Sequence, residues 1–141
     1  MILVVLLTPY LLFNGNCREA MLFYQACLGG ELTFQLVEDT PEKYLWPDVW
    51  GQMIMQATLV KDTFMLKASD LSDADTIVNG NSVTFMLSCT THEELKSVMN
   101  NLLQGGSSIQ HLSLNANGLW LTSLIDKYGH HWTIFCHADG D

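Results

Sequence analysis

Two stretches, TPYLLFNGNCREAMLFYQACLGG at residues 8–30 and TFMLSCTTHEELKSVMNNLLQGG at residues 84–106, share one grammar: an apolar run, a polar turn, a helix and a glycine pair. The pairs Gly29-Gly30 and Gly105-Gly106 lie 76 positions apart, and the same shift places Thr8 on Thr84 and Leu7 on Val83. In the first copy the apolar run Leu3 to Phe13 predicts a strand that ends at Asn14-Gly15-Asn16. Asn16, with Glu19 three residues later, has the spacing of a capping box. Ala20, Phe23, Tyr24 and Cys27 then recur at helical steps, giving one apolar stripe that stops at the glycine pair. The second copy predicts a strand over Ser82 to Cys89 and a Thr/Glu-capped helix over about Thr91 to Gln104.

Working outward, strands are predicted over Glu31 to Glu38, Gln52 to Val60 and Thr63 to Ser69, the last two joined at Lys61-Asp62. The second half gives Ser107 to Leu114, Gly118 to Asp126 and His131 to His137, the final pair joined by Lys127-Tyr128-Gly129. The order is therefore βαβββ twice, an internal duplication, and one helix followed by three strands excludes the alternating pattern of doubly wound sheets. The expected class is α+β, one domain over 1–141, with a first module of about 1–70, a linker of about 71–80 and a second module of about 81–137. Along the first strand Leu7, Pro9, Leu11 and Phe13 are expected beneath the helix, which leaves Thr8 and Tyr10 on the opposite face.

Composition bounds the function. The chain has 141 residues, a net charge of −9 and 48% hydrophobic residues, with a mean hydropathy of +0.16. That much apolar surface excludes a disordered tail. Six Lys and Arg against fifteen Asp and Glu argue against a surface that tracks phosphates, so neither nucleic acid nor an anionic membrane is an expected partner. The apolar start has no basic n-region before Arg18 and no small-residue cleavage site, and no other run approaches the roughly 20 residues of a membrane span. A soluble, cytoplasmic protein is the expectation. Cys17, Cys27, Cys89 and Cys136 show no metal or disulfide spacing and read as reduced, buried thiols.

Several stretches together resemble a known family: Thr8 to Ala20, Phe23-Tyr24, Leu28 to Glu31, Ala68-Ser69-Asp70, Gly80 to Val83, and Asp126 to Gly129 with Trp132. The run PYLLFNGNCREAMLFY (residues 9–24) in particular is similar to the PhnB-like branch of the vicinal oxygen chelate (glyoxalase/bleomycin resistance/dioxygenase) superfamily. The resemblance implies paired βαβββ modules whose sheets curl into a cup, usually completed as a homodimer. It also implies one divalent metal held by His or Glu near equivalent points of the two modules. Laid on this chain, those points fall at Thr8, Thr84 and Thr133, with a fourth between Met65 and Lys67. A divalent ion needs imidazole or carboxylate donors at about 2.0–2.2 Å, so no metal or other cofactor is expected there.

The histidines do not replace the missing donors by spacing. His130 and His131 are adjacent in a strand and point to opposite faces, His131 sharing parity with Thr133 and Phe135 and His130 belonging to the turn. His92 sits at a helix start, His137 near the end of the chain, and His111 on the sixth strand. Glu93-Glu94 reads as a helix start, and Asp70, Asp73 and Asp75 as a solvated loop. No GxSxG elbow is present, and no catalytic residue is assigned. Trp120 and Trp132 are expected in the core or an interface. The loop Asp39 to Gly51 carries Tyr44, Trp46 and Trp50, which either cover the cup as a lid or pack against the sheet edge or a partner subunit.

The favoured expectation is a small-molecule binding protein without a metal. Its ligand-contacting residues would be Thr8, Tyr10, Thr84, Met86, Ser88, His131, Thr133 and Phe135, with Trp46 or Trp50 above them. The acidic balance suits a neutral or cationic ligand. Two alternatives stand beside it. One is a lyase, isomerase or ring-cleaving dioxygenase with a metal held by His131, His111 and a carboxylate. The other is a homodimeric module whose cup is filled by its own side chains.

Overall fold

The computed structural model describes residues 4–71 and 77–138, which form two compact units, Met1–Ile77 and Val78–Asp141. In the first, β1 (Tyr10–Leu12), α1 (Cys17–Leu28), β2 (Glu31–Leu36), β3 (Ile54–Lys61) and β4 (Phe64–Ser69) build a sheet of order β1-β4-β3-β2. In the second, β5 (Thr84–Ser88), α2 (His92–Leu103), β6 (Ser107–Leu114), β7 (Leu119–Ile125) and β8 (His131–His137) build one of order β5-β8-β7-β6. Each sheet is mixed: β1 runs parallel to β4 and β5 to β8, and the other pairs are antiparallel. The two βαβββ modules, the α+β class and both helix spans agree with the sequence reading. No described helix is long and apolar enough to cross a membrane.

Each helix covers one face of its own sheet. Cys17, Ala20, Met21, Tyr24 and Cys27 bury one side of α1, over a sheet face that presents Leu11, Ala57, Leu59, Leu66 and Ala68. Phe23, expected in the stripe, lies at its margin and is half-buried. In the second unit Leu95 and Leu102 of α2 cover Leu124, Trp132, Ile134 and Cys136. Trp132 is thus a core residue, as expected, while Trp120 is half-buried and stacks on His92 at the start of α2, with ring centroids 4.6 Å apart.

The glycine pairs end the helices and start the next strands for a steric reason. A Cβ on Gly30, whose φ is +103°, would stand 2.6 Å from the carbonyl oxygen of Val60. At the repeat-related Gly106 a Cβ would collide with the Ile125 carbonyl oxygen. Only glycine lets β2 and β6 approach their neighbours this closely.

The structure corrects three expectations. The first strand is three residues long rather than eleven. Val4 to Leu7 are exposed, Leu7 at 96% and Pro9 also in the open, and only Leu11 and Phe13 of the expected row lie under the helix. The ladder runs from the Pro9 carbonyl, which accepts from the Lys67 N–H, to the Phe13 N–H, which donates to Ser69. In this register Leu7 falls level with Phe64, the first residue of β4, so the earlier residues pass beyond their partner strand. Leu3 itself lies outside the described residues.

Second, the Asn16 side chain makes no capping bond. Asp70 takes that place from 53 residues away, its Oδ1 accepting from the N–H groups of Gly15 (3.0 Å) and Cys17 (2.9 Å) and its Oδ2 from Ile54 N–H (3.0 Å). Third, Asp70 is therefore no solvated loop residue: it is 4% exposed and joins the β1–α1 turn, the start of α1 and the start of β3. Asp73 and Asp75 lie outside the described residues. The Thr/Glu cap at α2 forms as expected, with Glu94 N–H donating to Thr91 Oγ1 at 3.0 Å and the Glu94 carboxylate accepting from Thr90 N–H, one residue before the cap, at 3.2 Å.

Candidate functional site

With one face of each sheet under a helix, the opposite faces carry the side chains free to meet a ligand. In the second unit β8 alternates: Trp132, Ile134 and Cys136 are buried, while His131, Thr133 and Phe135 turn to the open side. The pairing sets their neighbours. Thr84, His131 and Ile125 form one row, Met86, Thr133 and Ser123 the next, and Ser88, Phe135 and Leu121 the third. Six of the ten residues expected to touch ligand (Thr84, Met86, Ser88, His131, Thr133 and Phe135) thus share one face. Met86 is 64% exposed, and the Thr84 and Thr133 hydroxyls are hydrogen-bonded to each other at 3.0 Å. None of the nine residues in the three rows carries a carboxylate.

The first unit holds the other four. Tyr10 is exposed and pairs with Lys67, which pairs in turn with Thr58, and Thr58 with Thr33. These four form one row on the face away from α1. Thr8 precedes β1 and is half-buried. The loop holding Trp46 and Trp50 is built of 3-10 turns at Val37–Asp39, Lys43–Leu45 and Asp48–Trp50, with Trp50 37% exposed. A hollow of about 350 Å³ lies beneath this loop among Val37, Glu38, Lys43, Tyr44, Pro47, Asp48 and Gly51. A second, of about 440 Å³, lies beside the α1 start with Arg18, Glu19, Val49, Gln52 and Met53 among its walls. Neither is lined by Trp46 or Trp50, and neither includes Thr8 or Tyr10.

The family model described as 3-demethylubiquinone-9 3-methyltransferase matches residues 6–135. Protein PA1353 from Pseudomonas aeruginosa is 32% identical in sequence, with 95% of this chain and 98% of that chain covered at a TM-score of 0.82. A PhnB protein from Bacillus cereus, also described as a 3-demethylubiquinone-9 3-methyltransferase, is 22% identical over 92% of this chain and 98% of its own, with a TM-score of 0.72. The chain belongs to the PhnB-like branch of the vicinal oxygen chelate superfamily. Its fold extends to a glyoxalase/bleomycin resistance protein/dioxygenase family enzyme from Burkholderia phytofirmans, at 10% identity, 92% and 96% coverage and a TM-score of 0.64.

In this PhnB-like chain the strand register also settles the fourth of the metal-equivalent points. Met86, the repeat mate of Tyr10, pairs with Thr133; Tyr10 pairs with Lys67; so Lys67 is the counterpart of Thr133. The points are then Thr8 and Lys67 in the first unit, a hydroxyl and an ammonium, and Thr84 and Thr133 in the second, two hydroxyls bonded to each other. Neither pair supplies the donors that the divalent ion implied by the superfamily needs. The set of His131, His111 and a carboxylate fares no better. His111 is on β6 and His131 on β8, with β7 between them. Among the described residues no group of three or more His, Cys, Asp or Glu is placed to hold an ion.

Nor do the thiols offer a nucleophile. All four cysteines are free and buried, as the sequence reading expects. Burial, with the nearby Asp70 carboxylate, pushes the Cys17 thiol up to about 12; burial and Glu94 push Cys89 up to about 11 and Cys136 upward as well. Each stays a thiol at neutral pH.

His130 sits in the turn before β8, as expected, its N–H donating to Asp126 Oδ1 at 3.1 Å. Asp126 is buried and also accepts from Tyr128 N–H (2.8 Å) and Trp132 Nε1 (2.8 Å). Burial holds the His130 imidazole below its ordinary 6.5, against the opposing pull of Asp126. The sign follows from linkage. Below about 6.5 the unfolded chain takes up a proton that the folded chain resists, so stability is full above that value and falls as the pH drops beneath it. Urea midpoints measured from pH 7.5 down to about 5.5 should decline in the native chain, and His130→Gln should flatten the decline over that window.

Proposed function

We propose that this protein is a small-molecule binding member of the PhnB-like branch, and that it holds an apolar or aromatic compound on the open face of the second sheet with its own side chains and no metal. The observation that carries this reading is the row structure of that face. Exposed Met86 and half-buried Phe135 and Leu121 supply apolar contact, while Thr133, Ser123, Ser88 and His131 supply a few hydrogen-bonding groups between them. Apolar walls with sparse polar groups are the usual anatomy of a ligand site, and Met adapts its shape to flat rings. The Thr84 and Thr133 hydroxyls bond each other rather than His131, the base that would activate one of them.

The relatives' description names a methyl transfer. A sulfonium methyl donor brings positive charge and ribose hydroxyls, groups that acidic side chains hold well, and the three rows of the second sheet offer none. Binding therefore has more support than methyl transfer.

The test is a thermal-shift screen with neutral aromatic compounds on the native chain and on Met86→Ala and Phe135→Ala. The best compound is expected to raise the melting temperature of the native chain. Each variant should lose about tenfold in affinity, as removal of a well-buried apolar contact does. A shift equal in all three proteins contradicts the proposal, as does a shift that requires added S-adenosylmethionine or a divalent ion.

A further inference from the structure

The open face of the first sheet differs from that of the second at one decisive point. Thr133 has its hydroxyl satisfied by Thr84, whereas its counterpart Lys67 carries a cation at an inner strand, β4, between Tyr10 on β1 and Thr58 on β3. Lys67 is half-buried, and among the described residues no carboxylate lies within ion-pair distance of it. A half-buried lysine lays its stem along the sheet and keeps its ammonium at the open face, where an anion can reach it. The same row adds the hydroxyls of Tyr10, Thr58 and Thr33, all able to donate. The row is rich in donors and holds a cation, on a chain whose net charge of −9 would otherwise repel anions.

We propose that Lys67 is an anion-recognition residue: Lys67, with the flanking hydroxyls of Tyr10 and Thr58, binds the carboxylate of a small aromatic acid. This deepens the reading of the protein as a small-molecule binder and rests on it. Charge-assisted hydrogen bonds from an ammonium and flanking hydroxyls are roughly twice as strong as neutral ones, which favours the ionised acid over its uncharged analogue. Repulsion by the distant acidic surface is screened beyond about 8–10 Å at ordinary salt, while the contact with Lys67 is not. Tyr10, half exposed beside Lys67, offers its ring edge or face to the aromatic body.

The test is a titration of the isotopically labelled full chain with benzoate, benzamide and benzylammonium, followed through backbone amide shifts. Benzoate is expected to perturb Tyr10, Thr58 and Lys67 and to bind about tenfold or more tightly than benzamide. Lys67→Met should abolish that preference and Lys67→Arg should keep it. Equal binding of benzoate and benzamide overturns the proposal, as does a preference that survives in Lys67→Met or benzoate shifts that leave the first sheet untouched. If benzamide or benzylammonium moves the second-sheet residues Met86 and Phe135 while benzoate shows no preference, the Lys67 proposal fails and the binding reading stands. If none of the three moves either sheet, both fall.

Discussion

Asp70→Ala is expected to lower the stability of the fold by about 3–5 kcal/mol, a large share of the roughly 5–15 kcal/mol of a typical domain. Its carboxylate accepts three backbone N–H bonds of 2.9–3.0 Å from Gly15, Cys17 and Ile54, and is almost wholly enclosed. Bonds to a charged acceptor contribute about 1.5–3 kcal/mol each, and a buried donor left without an acceptor costs about 1–3 kcal/mol. The alanine variant deprives all three donors at once and removes a negative charge from the positive end of α1. Asp70→Asn keeps an acceptor oxygen but turns an amide N–H toward one of the donors, so its loss should be smaller yet clear. Urea unfolding of the two variants measures this order; a loss under about 1 kcal/mol in Asp70→Ala would contradict the account of Asp70 as the group that ties turn, helix and strand together.

Gly30→Ala is the second large effect, at about 3 kcal/mol or more. A φ of +103° is strained for any residue with a Cβ, costing about 1–2 kcal/mol. The new methyl group would also stand 2.6 Å from the Val60 carbonyl oxygen, which the β2–β3 ladder holds in place. Backbone cannot move aside as a flexible side chain can, and forced overpacking adds about 1–3 kcal/mol. Gly15→Ala serves as a control: its φ of +99° carries the same backbone strain, but no atom lies within 4 Å of the added carbon. The Gly30 variant should therefore melt well below the Gly15 variant. Equal melting would mean that close strand approach, as opposed to backbone conformation, contributes nothing.

Much of the fold was legible because its signals are local. The helical step of Ala20, Tyr24 and Cys27, the Thr91 and Glu94 capping pair and the two glycine pairs each act within a few residues of chain, and the elements they mark stand where the sequence places them. The first strand was not legible, because an unbroken apolar run from Leu3 to Phe13 has no internal mark of where its partner strand ends. That limit is set by the start of β4 at Phe64, more than fifty residues later. Asp70 illustrates the same point. With Asp73 and Asp75 it reads as a solvated loop after the strand Thr63 to Ser69, and the three donors that enclose it lie 16 to 55 positions away in the chain.

The placement of the candidate residues on the sheets was legible in the same proportion. Alternation along β8 puts His131, Thr133 and Phe135 on one face, and the parallel pairing of β5 with β8 sets Thr84 beside them. Lys67 was visible only as one of three neighbouring positions, since hairpin register depends on pairing and not on composition. Trp46 and Trp50 attracted attention as aromatic residues in a long loop. The 3-10 turns place Tyr44 and Pro47 along the hollow beneath that loop.

The most direct test of the account measures the binding of one neutral aromatic compound to the native chain before and after exhaustive treatment with a chelator, with metal content determined in both samples. Substoichiometric metal, an affinity unchanged by chelation, and amide shifts centred on Met86, Thr133 and Phe135 are expected. A stoichiometric divalent ion whose removal abolishes binding would contradict the account.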